Sequence, residues 1–181
     1  MEKRKKLLLH SCCAPCSSGV LEELVKSFDV TVFFYNPNIN TKEEYNLRAS
    51  HQQKLCDILN VPCIIENYSP SEFLNNIKGY ELDKEGGKRC SLCFELRLNK
   101  TAKFANENGY DIFTTTLSVS PYKNAELLNE LGKKISLKHN VEYLEANFKK
   151  NNGYLLSINN SKKYNLYRQK FCGCEFSLLK K

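Results

Sequence analysis

The chain has 181 residues with nine cysteines, 27 Lys and Arg against 20 Asp and Glu, and a formal charge of +7. This length builds a core without covalent staples, and an odd cysteine count at this density excludes a disulfide-built secreted scaffold. The start of the chain is basic but holds only the apolar run Leu7-Leu8-Leu9, too short for a signal-peptide core or a membrane span, so a cytoplasmic protein with reduced thiols and no membrane partner is expected.

The basic excess favours nucleic acid as a polyanionic partner as much as it fits an ordinary solvated surface. Lys6 to His10 reads as a short buried strand, followed by a helix from about Ser17 to Lys26. Val30 to Tyr35 is a second strand, broken by Asn36-Pro37-Asn38. Thr41 with Glu44 three residues on has the pattern of a capping box, and Tyr45, Ala49, Cys56 and Leu59 then recur at helical spacing, which predicts a long second helix. Val61 to Ile65 is a third strand and Pro70 to Ile77 a short helix, before a polar loop ending in Gly86-Gly87. A helix from about Cys90 to Asn108 buries Phe94, Leu98, Ala102 and Ala105, with Gly109 placed just beyond its last turn. Tyr110 to Thr116 is strand four, Asn124 to His139 a helix and Val141 to Phe148 strand five.

This alternation, free of repeats and linkers, predicts a single α/β domain over residues 1–181: an open parallel five-stranded sheet with helices on both faces. Ligands of such sheets sit beyond the carboxyl ends of the strands, where the strand order reverses. The first strand ends at His10, so "HSCCAPCSSG" takes the ligand position.

Two cysteines fit the core as small hydrophobes: Cys56 on the apolar face of the long helix and Cys63 inside a strand. The other seven fall in three stretches: Cys12, Cys13 and Cys16, then Cys90 and Cys93, then Cys172 and Cys174. Cys90 and Cys93 share one side of a first helical turn, where the helix dipole with Lys88 and Arg89 favours thiolate. Together with the adjacent pair Cys12-Cys13 they satisfy a structural zinc or an iron-sulfur cluster, and adjacent cysteines suit the cluster better than a zinc knuckle. Cys172 and Cys174, separated by one glycine, close only a small, strained and reducible ring; the alternative makes them further metal ligands. Cys16 either ligates a second metal or turns outward.

"HSCCAPCSSGV", "YNPNI", "GKRCSLCFELRL", "TTTLSVSPYKN" and "YRQKFCGCEFSLL", in this order, resemble the QueH family of epoxyqueuosine reductases over essentially the whole chain. The resemblance implies a HUP-like fold of the PP-loop type and a 4Fe-4S cluster on Cys12, Cys13, Cys90 and Cys93. It also implies a second metal ion beside the cluster, iron or zinc, with Cys16 as its candidate ligand, a redox-active disulfide between Cys172 and Cys174, and no cobalamin. The implied substrate is a tRNA with a queuosine precursor at the wobble position of the anticodon loop, and the implied reaction removes the epoxide oxygen with electrons from an external donor.

Epoxide removal to an alkene consumes two electrons and two protons, and the cluster, an open metal position and the Cys172-Cys174 dithiol are the candidates to serve it. His10 is a possible proton donor but reads better as a satisfied core histidine. Lys162, Lys163, Arg168 and Lys170 interleave with Tyr164 and Tyr167, and Lys149 and Lys150 precede Tyr154, a mixture that suits phosphates and unstacked bases of an RNA loop. Equally, the tyrosines fit a core and the lysines a solvated face. Two rival readings remain. An ATP-dependent PP-loop tRNA thiolase needs a Gly-Ser phosphate cradle after the first strand, where this chain has cysteines and Pro15. A zinc-stabilised RNA-binding module needs no catalysis at all.

Overall fold

The computed structural model describes residues 4–150 and 152–178. Its centre is β1 (Lys6–Ser11), paired in parallel with β2 (Asp29–Phe34) on one side and β4 (Ile112–Thr115) on the other. β3 (Cys63–Ile65) and β5 (Glu142–Tyr143) complete a parallel sheet of order β3-β2-β1-β4-β5. Between the strands run α1 (Ala14–Ser18), α2 (Leu21–Ser27), α3 (Lys42–Leu59), α4 (Pro70–Asn76), α5 (Lys88–Glu107) and α6 (Ala125–His139), with α7 (Gly153–Lys163) last. No helix among the described residues is long and apolar enough to cross a membrane.

Alternation along β1 explains why both faces are covered. Leu7 and Leu9 join Val30 and Val32 in one apolar cluster with Leu21, Leu24 and Leu55 of α2 and α3. Leu8 points the other way, into Phe33, Phe113 and the α5 stripe Phe94, Leu98, Ala102 and Ala105, each buried as expected. Cys56 is fully buried and Cys63 half-buried.

Several boundaries differ from the sequence reading. The helix expected from Ser17 to Lys26 is two helices, separated at Gly19-Val20. β3 begins at Cys63 rather than Val61, and β4 is limited to four residues because Thr115 caps a 3-10 turn over Thr116–Val119, its hydroxyl accepting from the Leu117 N–H at 3.1 Å. β5 spans only two residues instead of eight: past Tyr143 the Leu144 carbonyl is taken by the Thr114 hydroxyl at 2.8 Å and the ladder to β4 ends. The capping box forms by half: Thr41 Oγ1 accepts from the Glu44 N–H at 3.2 Å, but the Glu44 carboxylate turns to Arg48 instead of back to the cap. α7 has no counterpart in the sequence reading, which left residues 150–181 without an element.

α7 lies against α1 at backbone distance. A Cβ on Gly19 would stand 2.3 Å from the Gly153 carbonyl oxygen, so the two helices meet only because Gly19 carries no side chain there. Gly19→Ala is expected to force them apart and to cost about 1–3 kcal/mol of stability, read as a lower midpoint with unchanged slope in urea unfolding; an unaltered midpoint would show that the contact is not tight in solution.

Candidate metal-thiolate centre

Strand order reverses on either side of β1, so the carboxyl ends of β1 and β4 diverge into the loops that build the site. Past Ser11, Cys12 through Cys16 enter α1. A buried chain of hydroxyls fixes this turn: Ser17 Oγ meets Ser11 Oγ at 2.6 Å, and Ser11 Oγ donates to Gln52 Oε1 of α3 at 2.6 Å. Asn36, past β2, donates to the Ser11 carbonyl at 2.9 Å. Thr116, past β4, accepts from the Cys12 N–H at 3.1 Å and donates to Cys12 Sγ at 3.3 Å.

The sulfurs of Cys12, Cys13 and Cys16 lie within 4.8 Å of one another, a group that could hold a metal ion. Cys12 carries the lowered pKa of the three, because the Cys13 and Cys16 thiols donate to its sulfur; Cys13 is correspondingly pushed up to about 11, and Cys16 is raised as well.

Cys90 and Cys93 stand outside that group, on the first turn of α5 and across a side chain, Arg97, that borders both sets. The Gly86 N–H donates to Cys90 Sγ at 3.2 Å. The expected thiolate bias of this turn is corrected here: both thiols are held above the ordinary cysteine range, first of all by burial, which outweighs the nearby arginines. Arg89 folds back and donates to the carbonyls of Glu81 and Asp83.

Cys172 and Cys174 complete the arrangement. Cys90, Cys93, Cys172 and Cys174 surround a cavity of about 110 Å³. Cys172 also borders, with Cys12 and Cys16, a cavity of about 610 Å³, a size suited to a small-molecule or nucleotide-sized ligand. All nine cysteines are free thiols in this structure. The Cys-Gly-Cys turn is held by its backbone: Arg48 donates to the carbonyls of Cys172 at 3.2 Å and Phe171 at 3.3 Å, Asn38 to Cys172 at 3.3 Å, and the Asn40 N–H to Gly173 at 2.9 Å. Gly173 has φ of +109° with Ile39 and Arg48 packed where a Cβ would go, so a side chain there is both strained and blocked. Arg48 is itself buried, bonded to Glu44 at 2.6 Å and stacked on Phe171 at 5.1 Å. Within the pair, the Cys174 thiol donates to Cys172, which pulls Cys172 down to about 5 and raises Cys174.

The basic and aromatic candidates divide by position. Arg168, Lys170 and Tyr154 line the larger cavity. Tyr164 donates to Glu22 at 2.6 Å and packs on the core, Lys163 lies over the Tyr164 ring at 4.6 Å, Lys162 is exposed at the end of α7, and Tyr167 reaches Glu44 at 3.2 Å; none of these four lines the cavity. Lys149 donates to the Lys123 carbonyl at 2.7 Å. His10 is fully buried, its Nε2–H donating to the Tyr35 carbonyl at 3.0 Å and Nδ1 accepting from Thr115 Oγ1 at 2.8 Å. Burial and the Arg97 charge bring its pKa to about 3, so it is neutral at physiological pH and serves the core. Residues that sequence reasoning passed over are Arg48, Arg97 and the pair Tyr122-Lys123, which borders both cavities with Tyr122 87% exposed.

The donor set suits an anionic metal-sulfur group. Two buried polar atoms without a partner, Arg89 Nε and Asn38 Oδ1, belong to residues around the smaller cavity, and an orphaned guanidinium nitrogen beside thiols fits a negatively charged occupant.

A protein-family model described as "Epoxyqueuosine reductase QueH" matches residues 7–180. A relative bearing the same name from Staphylococcus epidermidis is 45% identical, covering 98% of this chain and 78% of the relative. Another from Streptococcus pyogenes is 41% identical over 96% of the chain and 71% of the relative, and one from Thermotoga maritima 36% identical over 97% and 91%.

In reduced, metal-free protein, iodoacetamide at neutral pH is expected to label Cys172 before Cys174 and the buried Cys93, because the thiolate is the nucleophile. Labelling of Cys172 should fall as pH drops through about 5; peptide mass mapping reads it, and preferential labelling of Cys174 would contradict the assigned polarity of the pair.

Proposed function

The chain belongs to the QueH family, and from that membership we propose that it is an oxidoreductase of tRNA modification, converting epoxyqueuosine to queuosine at the wobble position. The observation that carries the reading is the convergence of six thiols from three distant stretches around two adjoining cavities that share Arg97, Lys123 and Cys172, with Cys13 grouped beside Cys12 and Cys16.

Cys12, Cys13, Cys90 and Cys93 are the proposed ligands of a 4Fe-4S cluster, and Cys16 that of a second metal, iron or zinc. When bound, these groups supply electron transfer and Lewis-acid activation of the epoxide oxygen. The protein's own part is to hold, position and exchange protons. Cys172 and Cys174 form the proposed redox pair: with Cys172 a thiolate, joining them in a disulfide releases two electrons and the one proton of Cys174. Loss of the epoxide oxygen as water, leaving a carbon-carbon double bond, consumes two electrons and two protons, so the second proton comes from solvent. An external donor of two electrons, with one proton from solvent, then restores the thiolate-thiol pair. The polarity of the pair supports this, since Cys172 is a thiolate at neutral pH on the wall of the large cavity while Cys174 keeps its proton behind it.

Arg168 and Lys170 are the proposed phosphate contacts of the anticodon loop, with Tyr154 beside them for an unstacked base. For Lys162, Lys163, Tyr164 and Tyr167 the internal partners described above favour a structural part, with Lys162 left free to reach RNA. The loop after β1, filled by cysteine sulfurs, argues against the thiolase reading, so turnover is expected without ATP.

Anaerobically reconstituted protein should contain iron and acid-labile sulfide and should convert an epoxyqueuosine-bearing tRNA with reductant alone. Cys172→Ser and Cys174→Ser should each keep the iron yet lose at least about a hundredfold in rate, the scale expected when a nucleophile or proton carrier is removed, whereas Cys90→Ser should lose iron. A colourless zinc protein, or an ATP requirement, would defeat the proposal. Separately, Arg168→Ala with Lys170→Ala should weaken anticodon stem-loop binding and flatten the salt dependence, each phosphate contact accounting for a slope of roughly 0.7; an unchanged slope would remove both residues from the RNA interface.

A further inference from the structure

Arg97 lies one turn beyond Cys93 and two beyond Cys90 on α5, so the helix presents all three on one face. Its side chain is buried, 4% exposed. A guanidinium keeps its charge throughout the working pH range, and a buried charge needs a counter-charge. Of the other two buried arginines, Arg48 is bonded to the Glu44 carboxylate at 2.6 Å, and Arg89 donates to the carbonyls of Glu81 and Asp83, with the Asp83 carboxylate held close by the Arg89 backbone N–H at 3.1 Å.

Arg97 has none of this kind. Nη2 donates to the neutral Asn36 Oδ1, and Nε faces the neutral His10 ring at 3.4 Å. Nη1 approaches Cys93 Sγ at 4.0 Å. Among the described residues no carboxylate forms an ion pair with it. Arg97 borders the large cavity with Cys12 and the small one with Cys93, and Glu85, which lines both cavities, forms no ion pair with it. A neutral residue would satisfy Asn36 equally well, so the hydrogen bonds alone do not account for a buried cation here.

We propose that the counter-charge of Arg97 is the negative charge of the metal-sulfur centre itself, and that Arg97 is a positioning residue that raises the reduction potential of that centre. The inference rests on the reading of these thiols as cluster ligands. Reduction adds one negative charge to the centre, so a fixed cation beside its sulfurs stabilises the reduced form over the oxidised one; net charge and hydrogen bonds to sulfur are what set such potentials. Asn36, which accepts from the guanidinium and donates to the Ser11 carbonyl at the end of β1, holds Arg97 in register with the cysteine loop.

The test compares wild-type protein with Arg97→Gln, which keeps donors but loses the charge, and Arg97→Lys, which keeps the charge. Each is reconstituted anaerobically, assayed for iron and sulfide, checked by circular dichroism and titrated with dithionite against redox dyes. The expected result is a potential in Arg97→Gln lowered by about a tenfold change in the one-electron equilibrium constant, ~59 mV, with Arg97→Lys closer to wild type. Equal potentials in wild type and Arg97→Gln overturn the proposal, as does an Arg97→Lys shift as large as that of Arg97→Gln. If Arg97→Gln fails to fold or to hold iron, Arg97→Lys decides: a near-wild-type potential supports the assignment, and a tenfold shift overturns it. Wild-type protein that assembles no iron-sulfur cluster removes the underlying metal reading, an outcome distinct from a cluster indifferent to Arg97.

Discussion

A strand hydrogen-bonded in parallel on both sides, as β1 is by β2 and β4, delivers three chain segments to one edge of the sheet at fixed separation. The register pairs Ser11 with Phe34 and His10 with Thr115, so the cysteine turn, Asn36 and Thr116 all emerge at the same level. From there the local bonds follow: Asn36 takes the Ser11 carbonyl and Thr116 brackets Cys12 through nitrogen and sulfur. A one-residue slip of either pairing would turn Leu8 and His10 to the opposite face and dissolve both apolar clusters. The apolar cores therefore hold the sulfur geometry, and the site needs little stabilisation of its own.

Against that rigid edge, the electrostatics are arranged by three buried arginines with different partners. Arg48 is neutralised by Glu44 and directs its remaining donors to the Cys-Gly-Cys backbone, so it holds the shape of a turn without charging the sulfurs. Arg89 closes the loop before α5 by binding its carbonyls. Arg97 approaches Cys93 Sγ with only neutral hydrogen-bond companions. Burial penalises an unpaired thiolate and an unpaired guanidinium alike. Placing both kinds of group around one cavity makes a bound anionic metal-sulfur group the arrangement that relieves both penalties together.

Much of the architecture was legible because periodicity reports burial. The α5 stripe, the alternation along β1, the Thr41 cap and the turn at Gly109 (φ +69°) all follow from local chemistry. Strand length was less legible: β5 pairs with β4 only at Glu142 and Tyr143, and the Thr114 side chain that takes the next carbonyl, Leu144, is not visible in Val141 to Phe148. α7 was missed since its contact with α1 depends on the absent side chain at Gly19, which no hydrophobic pattern records. Within the site, the sequence marked the sulfurs by spacing but misjudged the charge state of Cys90 and Cys93, where burial exceeds the helix-end effect. The spacing Cys90, Cys93, Arg97 on one helical face was a readable signal for Arg97. Arg48 was marked only by its four-residue spacing to Glu44, because its partners on the Cys-Gly-Cys turn lie more than a hundred residues away.

The segment from α7 onward ties these parts into one device. Gly153 seats α7 on α1, directly after the cysteine turn, and Asn160 donates to the Ser18 carbonyl at 2.7 Å. Leu166 then enters the core, and the Tyr167 N–H meets His51 at 3.2 Å. Gln169 donates toward Cys13, and Phe171 lies against Arg48 before the chain reaches Cys172. Arg168 Nη1 donates to the Ser157 carbonyl at 3.1 Å and to Ser161 Oγ at 3.2 Å, tying this run back to α7, while Arg48 and Asn38 anchor the Cys-Gly-Cys turn at its end. The place of Cys172 on the cavity wall is therefore fixed from α7 on one side and from α3 and the loop after β2 on the other.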